Sequence, residues 1–512
     1  MSSSTIWILV AFAIYLLLMV VIGAIYAKGN TSAEDYFLGG RNLSGFVAAL
    51  SAQASDMSGW LLMGLPGSVY ALGTGQIWIA VGLFVGTVCN WIFISGRLRR
   101  YTIRANNSLT LPTFFENRFH DKKRILLLIS SITIVIFFLV YTASALAAGG
   151  KLFNSIFGLD YRIALTIGAL VILIYTFLGG FMAVCTTDFI QGTLMLVGLL
   201  AVPLIALGFL KGSGGVTAAL LTTDVPGGVN GYLNAFSNGS RAYTPVEILS
   251  QLAWGLGYFG MPHILVRFMA VRDEKELKKS KGVAIIWVAL SLFFACVIGV
   301  IGRAYLAPTV LTDGAEEKVF IEMIVKIFTQ DIKIPIVGGI FLCGILAAIM
   351  STADSQLLVS ASSMAEDIFR GVIKKDMDDK NVLRVSRITV LVIAFLAYVI
   401  ALDPNSSIMG LVSNAWAGLG AAFGPAVLMA LFWRRSNLQG TVAGIAAGAL
   451  TVIVWDYIPF IGGQTIGSAT GIYSLLVGFF VSLLIIVGVS LLTPAPDASI
   501  LEEFDDVAAK RV

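Results

Sequence analysis

Oxygen-bearing side chains are concentrated in one apolar stretch of the chain, near residue 350. The stretch reads Ala347-Ala348-Ile349-Met350-Ser351-Thr352-Ala353-Asp354-Ser355-Gln356. At helical spacing, Ala348, Ser351 or Thr352, and Ser355 lie on one face that carries hydroxyls and no bulky apolar side chain. Hydroxyl and carbonyl oxygens suit a hard cation. A single serine in a membrane helix more often bonds back to the preceding turn, but this cluster favours a cation site.

Three carboxylates lie within apolar segments, namely Asp56, Asp188 and Asp354. A carboxylate at the centre of a bilayer costs about 2.5–3.5 kcal/mol on insertion scales, so it requires a partner or a function. Asp188 follows Thr186 and Thr187 at the predicted start of a helix, so helix capping is a second explanation for it. Asp56 and Asp354 lie deeper in their segments, and we expect them to serve cation binding or coupling.

Two apolar segments are interrupted in a way that exposes backbone groups. The first contains the polar stretch Ala52-Gln53-Ala54-Ser55-Asp56-Met57-Ser58-Gly59-Trp60, and the second contains Gly255-Leu256-Gly257-Tyr258-Phe259-Gly260-Met261-Pro262. Glycines weaken a helix, and Pro262 removes an amide donor. Packing glycines and a kink would explain either interruption alone. Their matching positions favour two discontinuous helices that face a ligand, as in secondary transporters.

Aromatic residues accompany both interruptions. Trp254 and Tyr258 are spaced i, i+4 around the second, and Pro262 follows one turn later, so a regular helix places the three on one face. Trp60 adjoins the first interruption. Tyr141 lies in the middle of another apolar segment and, taken alone, is more typical of ordinary packing. A cage of Trp and Tyr could hold a small ring while backbone groups of the broken helices bind its charged ends.

The composition identifies these segments as parts of a membrane protein. Hydrophobic residues make up 57% of the 512-residue chain and charged residues 12%, which excludes an ordinary soluble protein. Segments of about 20 apolar residues are typical of helices that cross a bilayer. They predict an all-α polytopic protein with 13 transmembrane helices, near 6–27, 44–72, 75–96, 125–148, 161–181, 187–210, 244–266, 283–306, 335–365, 388–402, 407–433, 438–460 and 470–493.

The basic residues predict how these helices are oriented. Cytoplasmic loops of membrane proteins are enriched in Lys and Arg. Alternate loops of the predicted topology hold most of the 34 basic residues, among them the loops 97–124, 267–281 and 370–387. We therefore place the amino terminus outside the cell and the carboxyl terminus in the cytoplasm, with a short, polar and mobile tail over 496–512.

An odd number of helices per unit predicts an inverted repeat. If helices 2 to 6 (about 44–210) form one unit and helices 7 to 11 (about 244–433) form another, the second unit enters the membrane upside down relative to the first. The interrupted segments are then the first helix of each unit. Helix 1 (6–27) precedes the repeats, and two helices (about 438–493) follow them within a single transmembrane domain.

The sequence lacks the residues that several classes of function require. The sequence contains no phosphate-binding loop, no paired metal-ligand histidines and no nucleophile elbow, so neither an ATP-driven pump nor an enzyme is indicated. His120 and His263 fall on the predicted cytoplasmic side and are interpreted as structural. Nothing indicates a nucleic-acid partner or an obligatory protein partner, so the expected partners are the lipid bilayer and a small solute. A membrane sensor is a weaker alternative, because sensors usually add a cytoplasmic signalling domain.

Four passages of the sequence resemble those of the sodium:solute symporters, and the resemblance runs over about residues 6–493. They are Ser51–Gly59, Gly179–Ala183 with Asp188 and Gln191, Trp254–His263, and Met350–Gln356. The resemblance implies sodium as the coupling ion, alternating access and a five-plus-five inverted repeat of the LeuT type with discontinuous helices 2 and 7. The Trp254–His263 passage is closest to the proline-transporting branch, which implies L-proline uptake across the bacterial inner membrane. The alternative cargoes are pantothenate, a sugar, an osmolyte or a short carboxylate.

The same resemblance assigns roles to individual residues. The sodium site of the family corresponds to the backbone carbonyls of Ala54, Met57 and Ala348 and to the hydroxyls of Ser351 and Thr352. Asp56 would order the broken helix or attract the ion. The substrate pocket of the proline-transporting branch corresponds to Ser58, Gly59, Trp60, Tyr141, Trp254, Tyr258 and Pro262.

A second sodium is implied by some members of the family. It would lie between Asp188 and the helix 9 residues Ser351, Asp354 and Ser355. Some proline-transporting members lack an acid at the position of Asp354, so the sequence leaves one or two sodium ions per substrate open.

Overall fold

The long apolar segments of the chain fold as helices, because within a bilayer only a helix satisfies the backbone N–H and C=O groups of a single segment. The structure is a computed structural model that describes residues 2–27, 33–176, 180–212, 214–374 and 376–510. Its principal helices are α1 Ser3–Ala27; α2 in two parts, α2a Gly45–Asp56 and α2b Trp60–Leu72; α3 Thr74–Arg104; α4 Ile125–Phe157; α5 Tyr161–Thr176; α6 Phe181–Gly212; α7 in three parts, α7a Pro245–Leu252, the 3₁₀ segment Ala253–Gly260 and α7b Pro262–Ala270; α8 Glu274–Tyr305; α9 Pro335–Ile373; α10 Asp379–Ile400; α11 Ile408–Phe432; α12 Leu438–Tyr457; and α13 Ser474–Leu492.

Short elements connect the principal helices. They are the helices Ala33–Leu38, Leu111–Arg118, Gly215–Leu220, Gly228–Tyr232, Val319–Val325, Ile466–Thr470 and Ala498–Ala508, with an antiparallel hairpin of β1 (Pro459–Ile461) and β2 (Gln464–Thr465). Gly179, in one of the passages quoted above, lies outside the described residues.

Most of the principal helices are long enough to cross a membrane. Within the described parts of the chain, ten are long and apolar enough to cross a membrane by length and composition. The remaining three are α2 and α7, which are interrupted, and α5, which has 16 residues. The chain is therefore a multi-pass, all-α membrane protein as predicted, and the count of 13 spans stays a prediction.

Two helices begin well before their predicted starts. α8 begins at Glu274 and α10 at Asp379, each about nine residues earlier than predicted. The side chains of Asp273 and Asp378 each accept a hydrogen bond from the backbone N–H three residues further on, which caps the helix. Hydropathy marks only the part of a helix that matches lipid, so it misses polar turns that continue the helix beyond the bilayer.

The predicted discontinuity of helices 2 and 7 is confirmed. α2a ends where Met57 takes φ −82° and ψ 74°, and α7b begins at Pro262 after Met261 in an extended conformation. Between α7a and α7b, the backbone winds as a 3₁₀ helix that lies directly on α3. A Cβ atom at Gly255 would stand 2.1 Å from the carbonyl oxygen of Gly82, so only glycine permits this contact.

The loops predicted to be cytoplasmic meet on one face of the molecule, which we call the basic side. Leu43, before α2a, donates its N–H to the Ala270 carbonyl at 3.1 Å and accepts from the Arg272 N–H at 3.1 Å. Arg100 forms an ion pair of 2.5 Å with Glu274. The halves α2a and α7b are therefore joined at the basic side.

The expectation of a mobile carboxyl-terminal tail is wrong for most of its length. Ala498–Ala508 is a helix whose Phe504 and Val507 side chains are buried against the basic side. Ion pairs hold its polar face, among them Arg434 to Asp505 at 3.0 Å. The spacing of Ile500, Phe504 and Val507 forms an apolar stripe, and this stripe is the sequence signal for the helix. Residues 511 and 512 lie outside the described residues.

Candidate functional site

Oxygens of four of the five predicted sodium ligands, namely Ala54, Ala348, Ser351 and Thr352, meet where α2a ends against α9. Ser351 donates its Oγ hydrogen bond to the Ala54 carbonyl at 2.8 Å and lies 3.2 Å from the Ala348 carbonyl, while Thr352 Oγ1 lies 3.5 Å from the Ala54 carbonyl. The last carbonyls of a helix have no partner within it, so the end of α2a presents oxygens to α9. All of these side chains are fully buried, and Met57 is the residue that caps α2a. This donor set of carbonyl and hydroxyl oxygens fits a hard cation.

Asp56 connects the interruptions of α2 and α7. Its Oδ2 accepts a hydrogen bond from the Tyr258 hydroxyl at 2.6 Å. Its backbone carbonyl accepts from the Trp60 indole N–H at 3.0 Å and from the Tyr141 hydroxyl at 3.4 Å. Three of the predicted substrate residues therefore converge on one acidic residue, beside the sodium ligands. Among the described residues, none hydrogen-bonds the second carboxylate oxygen, Oδ1.

Ser58 and Gly59 form the turn between α2a and α2b. The Ser58 hydroxyl accepts a hydrogen bond from the Trp60 N–H at 3.3 Å. A Cβ atom at Gly59 would stand 2.7 Å from the Ala148 methyl group of α4. The turn is therefore held close to α4, the helix that also carries Tyr141.

The expectation that Trp254, Tyr258 and Pro262 share one helix face is wrong. Trp254 stacks on Tyr473 of the α12–α13 connection, with ring centroids 5.0 Å apart, whereas Tyr258 meets Trp416 of α11 edge-on at 5.1 Å. The cause is the 3₁₀ winding of residues 253–260. With three residues per turn, positions four apart point in different directions.

Trp254 and Pro262 instead lie at opposite ends of the site. Trp254 lines a cavity of about 760 Å³ on the side opposite the basic side, with polar residues that include Glu247, Asn414 and Asp456. Pro262 lines a cavity of about 20 Å³ toward the basic side, which has room for about one water molecule. Tyr258 lines neither cavity. It is 1% exposed, and Asp56 and Tyr141 are fully buried, so the centre of the site is closed toward both cavities.

A buried ion pair with Arg267 explains why the Asp188 carboxylate lies within an apolar segment. Its Oδ2 accepts hydrogen bonds from Ser51 Oγ at 2.7 Å and Arg267 Nη2 at 3.3 Å, and Arg267 also donates to Ser355 Oγ at 2.6 Å. All four side chains are fully buried. The capping explanation is wrong because α6 begins at Phe181, two turns earlier. The Arg267 guanidinium therefore links α2a, α6, α7b and α9.

Arg267 was missed by the sequence analysis, which assigned it to the basic loop 267–281. The structure places it inside α7b, and its Nη1 donates to the His263 carbonyl at 2.8 Å. The available signal was its position within the run Pro262–Val271, where apolar residues flank it on both sides. A basic residue in such a run requires a buried acid as its partner.

The two histidines occupy different environments. His263 is fully buried, and its ring lies edge-on to Phe138 at 5.4 Å and to Tyr141 at 6.2 Å. It lies in the first turn of α7b, at the end of this helix opposite Ala270. His120 lies on the basic side, 3.3 Å from Glu503 of the carboxyl-terminal helix.

Comparison with known proteins identifies the family. Residues 36–448 match the profile of the sodium:solute symporter family. The chain belongs to this family. The high-affinity proline transporter PutP of Bacillus subtilis is 42% identical to the symporter over 488 residues, which cover 95% of this chain and 98% of that protein. A sodium/proline symporter of Staphylococcus aureus is 42% identical over 504 residues, 97% of this chain and 95% of that protein.

A solved structure shows the same fold. A Na⁺-coupled sialic acid symporter in a substrate-bound, outward-open state superposes with a TM-score of 0.77 at 19% identity, over 96% of this chain and 99% of that one. The symporter therefore has the five-plus-five inverted-repeat fold of the LeuT type, with the interrupted helices α2 and α7 at its centre.

We expect Tyr258→Phe to weaken sodium-dependent transport strongly. The substitution removes only the hydroxyl that donates to Asp56, and a hydrogen bond to a charged group contributes about 1.5–3 kcal/mol. Sodium titration of solute uptake should show a half-saturating concentration raised roughly tenfold or more. Tyr101→Phe is the matched control, because Tyr101 is equally buried and its hydroxyl has no hydrogen-bond partner among the described residues. Equal sodium dependence in the two variants would contradict a role for the Tyr258–Asp56 contact.

Proposed function

We propose that the chain is a secondary active symporter that couples inward sodium flow to uptake of L-proline by alternating access. The observation that carries the proposal is the convergence of Ala54, Ser351 and Thr352 oxygens beside the Tyr258–Asp56 contact. It supports a cation site next to the junction of the two broken helices. Family membership supports sodium as the ion, and the relatives that transport proline support proline as the cargo.

Sodium binding would couple to substrate binding through α2. In the structure, the Ser351 hydroxyl donates to the Ala54 carbonyl; with sodium bound, both oxygens would instead direct lone pairs to the ion. An ion held between α2a and α9 fixes the position of Asp56 two residues further along. Tyr258, Trp60 and Tyr141 contact Asp56 and therefore become ordered with it, so each ligand raises the affinity for the other.

Proline fits the residues around the interruptions. Its small apolar ring matches the faces of Trp60, Tyr141 and Tyr258, and its charged ends match the backbone groups at Ser58, Gly59 and Pro262, where the helices are broken. Trp254, on the opposite side of the 3₁₀ segment, would close the pocket toward the large cavity together with Tyr473.

The energy of one sodium ion suffices for concentrative uptake. Moving one positive charge inward releases about 2.3 kcal/mol per 100 mV, and a tenfold sodium gradient adds about 1.4 kcal/mol. Together they sustain roughly a several-hundred-fold gradient of a zwitterion.

The orientation follows from the basic side. We place it in the cytoplasm, with the amino terminus outside and the carboxyl-terminal helix inside, in the cell membrane of a bacterium. The repeats then correspond to residues 44–210 and 244–433. In this orientation the large cavity beside Trp254 opens outward.

Uptake into proteoliposomes tests the proposal. We expect labelled proline to accumulate only with an inward sodium gradient, faster with a negative interior potential, and with competition by unlabelled proline but not by pantothenate, sugars or short carboxylates. Accumulation in potassium alone would contradict sodium coupling. Competition by another member of the panel, without competition by proline, would replace proline as the cargo.

We expect one sodium ion per substrate, and Asp354→Asn tests this number. Arg267 already donates to Asp188 and Ser355, two of the residues implied for a second ion, and its positive charge opposes a cation there. Wild type and Asp354→Asn should both carry one charge per proline, measured as charge movement against labelled uptake. A ratio of two in the wild type that falls to one in Asp354→Asn would contradict this number and assign Asp354 to a second site.

A further inference from the structure

Two cavities follow one another from the proposed substrate site to the basic side. The first, of about 20 Å³, is lined by Pro262 of α7b, Ser363 of α9 and Thr110. The second, of about 390 Å³, is lined by Asn106, Asp367 and other polar residues and opens at the basic side. Leu109 lines both cavities. The wall between them is therefore thin, and it consists of residues 109–110 and the part of α9 that they touch.

A buried carboxylate holds this wall in place. Asp367 is fully buried, its Oδ1 accepts a hydrogen bond from the Thr110 hydroxyl at 2.8 Å, and its Oδ2 lies 3.5 Å from Ser131 Oγ of α4. It belongs to the π-helical end of α9, Ser363–Ile373, a winding that is frequent at functional sites. Burying a carboxylate in such a position costs free energy, so the residue requires a partner or a function.

In the part of the chain that the structure describes, no ion pair joins Asp367 to a basic residue. Of the two other acids that line the second cavity, Glu116 pairs with Arg124 at 3.1 Å and Glu366 with Arg370 at 3.3 Å. The hydrogen bonds of Asp367 come from hydroxyl groups. The strongest contact of this carboxylate is therefore the Thr110 hydroxyl, on the wall between the cavities.

Thr110 also begins the helix Leu111–Arg118. Its Oγ1 accepts a hydrogen bond from the Thr113 N–H at 3.1 Å as the helix cap. The same Oγ1 donates to Asp367 at 2.8 Å and lies 2.9 Å from Thr113 Oγ1. The Thr110–Asp367 bond thus attaches the start of this helix to α9 at the wall between the two cavities.

We propose that the Thr110–Asp367 hydrogen bond is the latch that closes the release route for sodium and substrate toward the basic side. This inference rests on the proposed function, since it names the inner gate of the same transport path. Breaking the bond lets residues 109–110 move away from α9 and joins the small cavity to the larger one. Thr110 and Asp367 are positioning residues, because they act on the route and not on the cargo.

The latch is tested by the accessibility of Ser363→Cys, a reporter in the small cavity. In vesicles with the basic side outward, a membrane-impermeant maleimide should label this cysteine slowly. We expect labelling about tenfold faster when Thr110→Val is added, because valine keeps the shape and removes the hydroxyl. Thr110→Ser keeps the hydroxyl and should restore the slow rate. The chain without Ser363→Cys gives the background from the four native cysteines.

Two further variants separate the latch from the helix cap. Thr113→Val removes the Thr113 hydroxyl from the cap and leaves Thr110 and Asp367 intact, so labelling should stay slow. Asp367→Leu removes the acceptor and leaves the cap intact, so labelling should be fast even if Thr110→Val does not fold. Slow labelling in both Thr110→Val and Asp367→Leu, or equally fast labelling in Thr113→Val, would overturn the latch. Because labelling requires neither proline nor a sodium gradient, failure of the proposed function would leave this readout intact.

Discussion

Thr352→Val is expected to raise the half-saturating sodium concentration for proline uptake by roughly ten- to a hundredfold. Valine has nearly the shape of threonine, so the substitution removes one hydroxyl oxygen from the junction of α2a and α9 with little change in packing. An interaction with a charged group contributes about 1.5–3 kcal/mol, and about 1.4 kcal/mol corresponds to a factor of ten in affinity. The measurement is sodium titration of initial uptake rates in proteoliposomes at a fixed membrane potential.

Two controls make this result specific. Thr352→Ser keeps the hydroxyl and should retain most of the sodium affinity. Ser360→Ala removes a fully buried hydroxyl from the same helix, and this hydroxyl has no hydrogen-bond partner among the described residues. Its sodium dependence should equal that of the wild type. An unchanged half-saturating concentration in Thr352→Val, with normal protein in the membrane, would remove Thr352 from the sodium site.

Most of the fold was predictable because hydropathy and backbone chemistry lead to the same result. Runs of about 20 apolar residues predict helices in lipid, and the polar stretch at Asp56 and the glycines before Pro262 predict interruptions, which the structure has at Met57 and Met261. The carboxyl-terminal helix was not predicted, because its apolar stripe is short and most of the surrounding residues are polar. Its stability comes from the surface that it meets, and that surface is assembled from distant loops.

The arrangement of the proposed sodium ligands was easier to predict than that of the proposed substrate residues. Ala348 and Ser351 are three residues apart on a regular helix, so they share a face, and the structure brings the hydroxyls of Ser351 and Thr352 to the Ala54 carbonyl. Trp254 and Tyr258 lie on a 3₁₀ segment. The change of winding follows from the close approach of this segment to α3, which no local pattern contains, and it directs the two aromatic rings to different neighbours.

We expect Arg267→Met to be among the most destabilising substitutions in this chain. It leaves Asp188 fully buried without its charge partner, and Ser51 is its remaining hydrogen-bond donor among the described residues. Removing one partner of a buried ion pair costs about 3–5 kcal/mol, whereas replacing both partners is often nearly neutral. The double variant Asp188→Asn, Arg267→Met should therefore recover most of the apparent melting temperature, measured by the loss of the monodisperse peak after heating in detergent. A double variant no more stable than Arg267→Met would contradict direct coupling of the two residues.

In the double variant we expect thermal stability to recover while sodium-dependent transport stays impaired. Arg267 donates to Ser51, one turn before Ala54 in α2a, and to Ser355, one turn after Ser351 in α9. It therefore aligns the two segments that carry the proposed sodium ligands, and an uncharged pair cannot reproduce these contacts. We expect the folded double variant to require at least roughly tenfold more sodium for half-maximal uptake, a factor that corresponds to about 1.4 kcal/mol. Wild-type sodium affinity in a stable double variant would restrict the Asp188–Arg267 pair to folding, because the ligands would then be positioned without it.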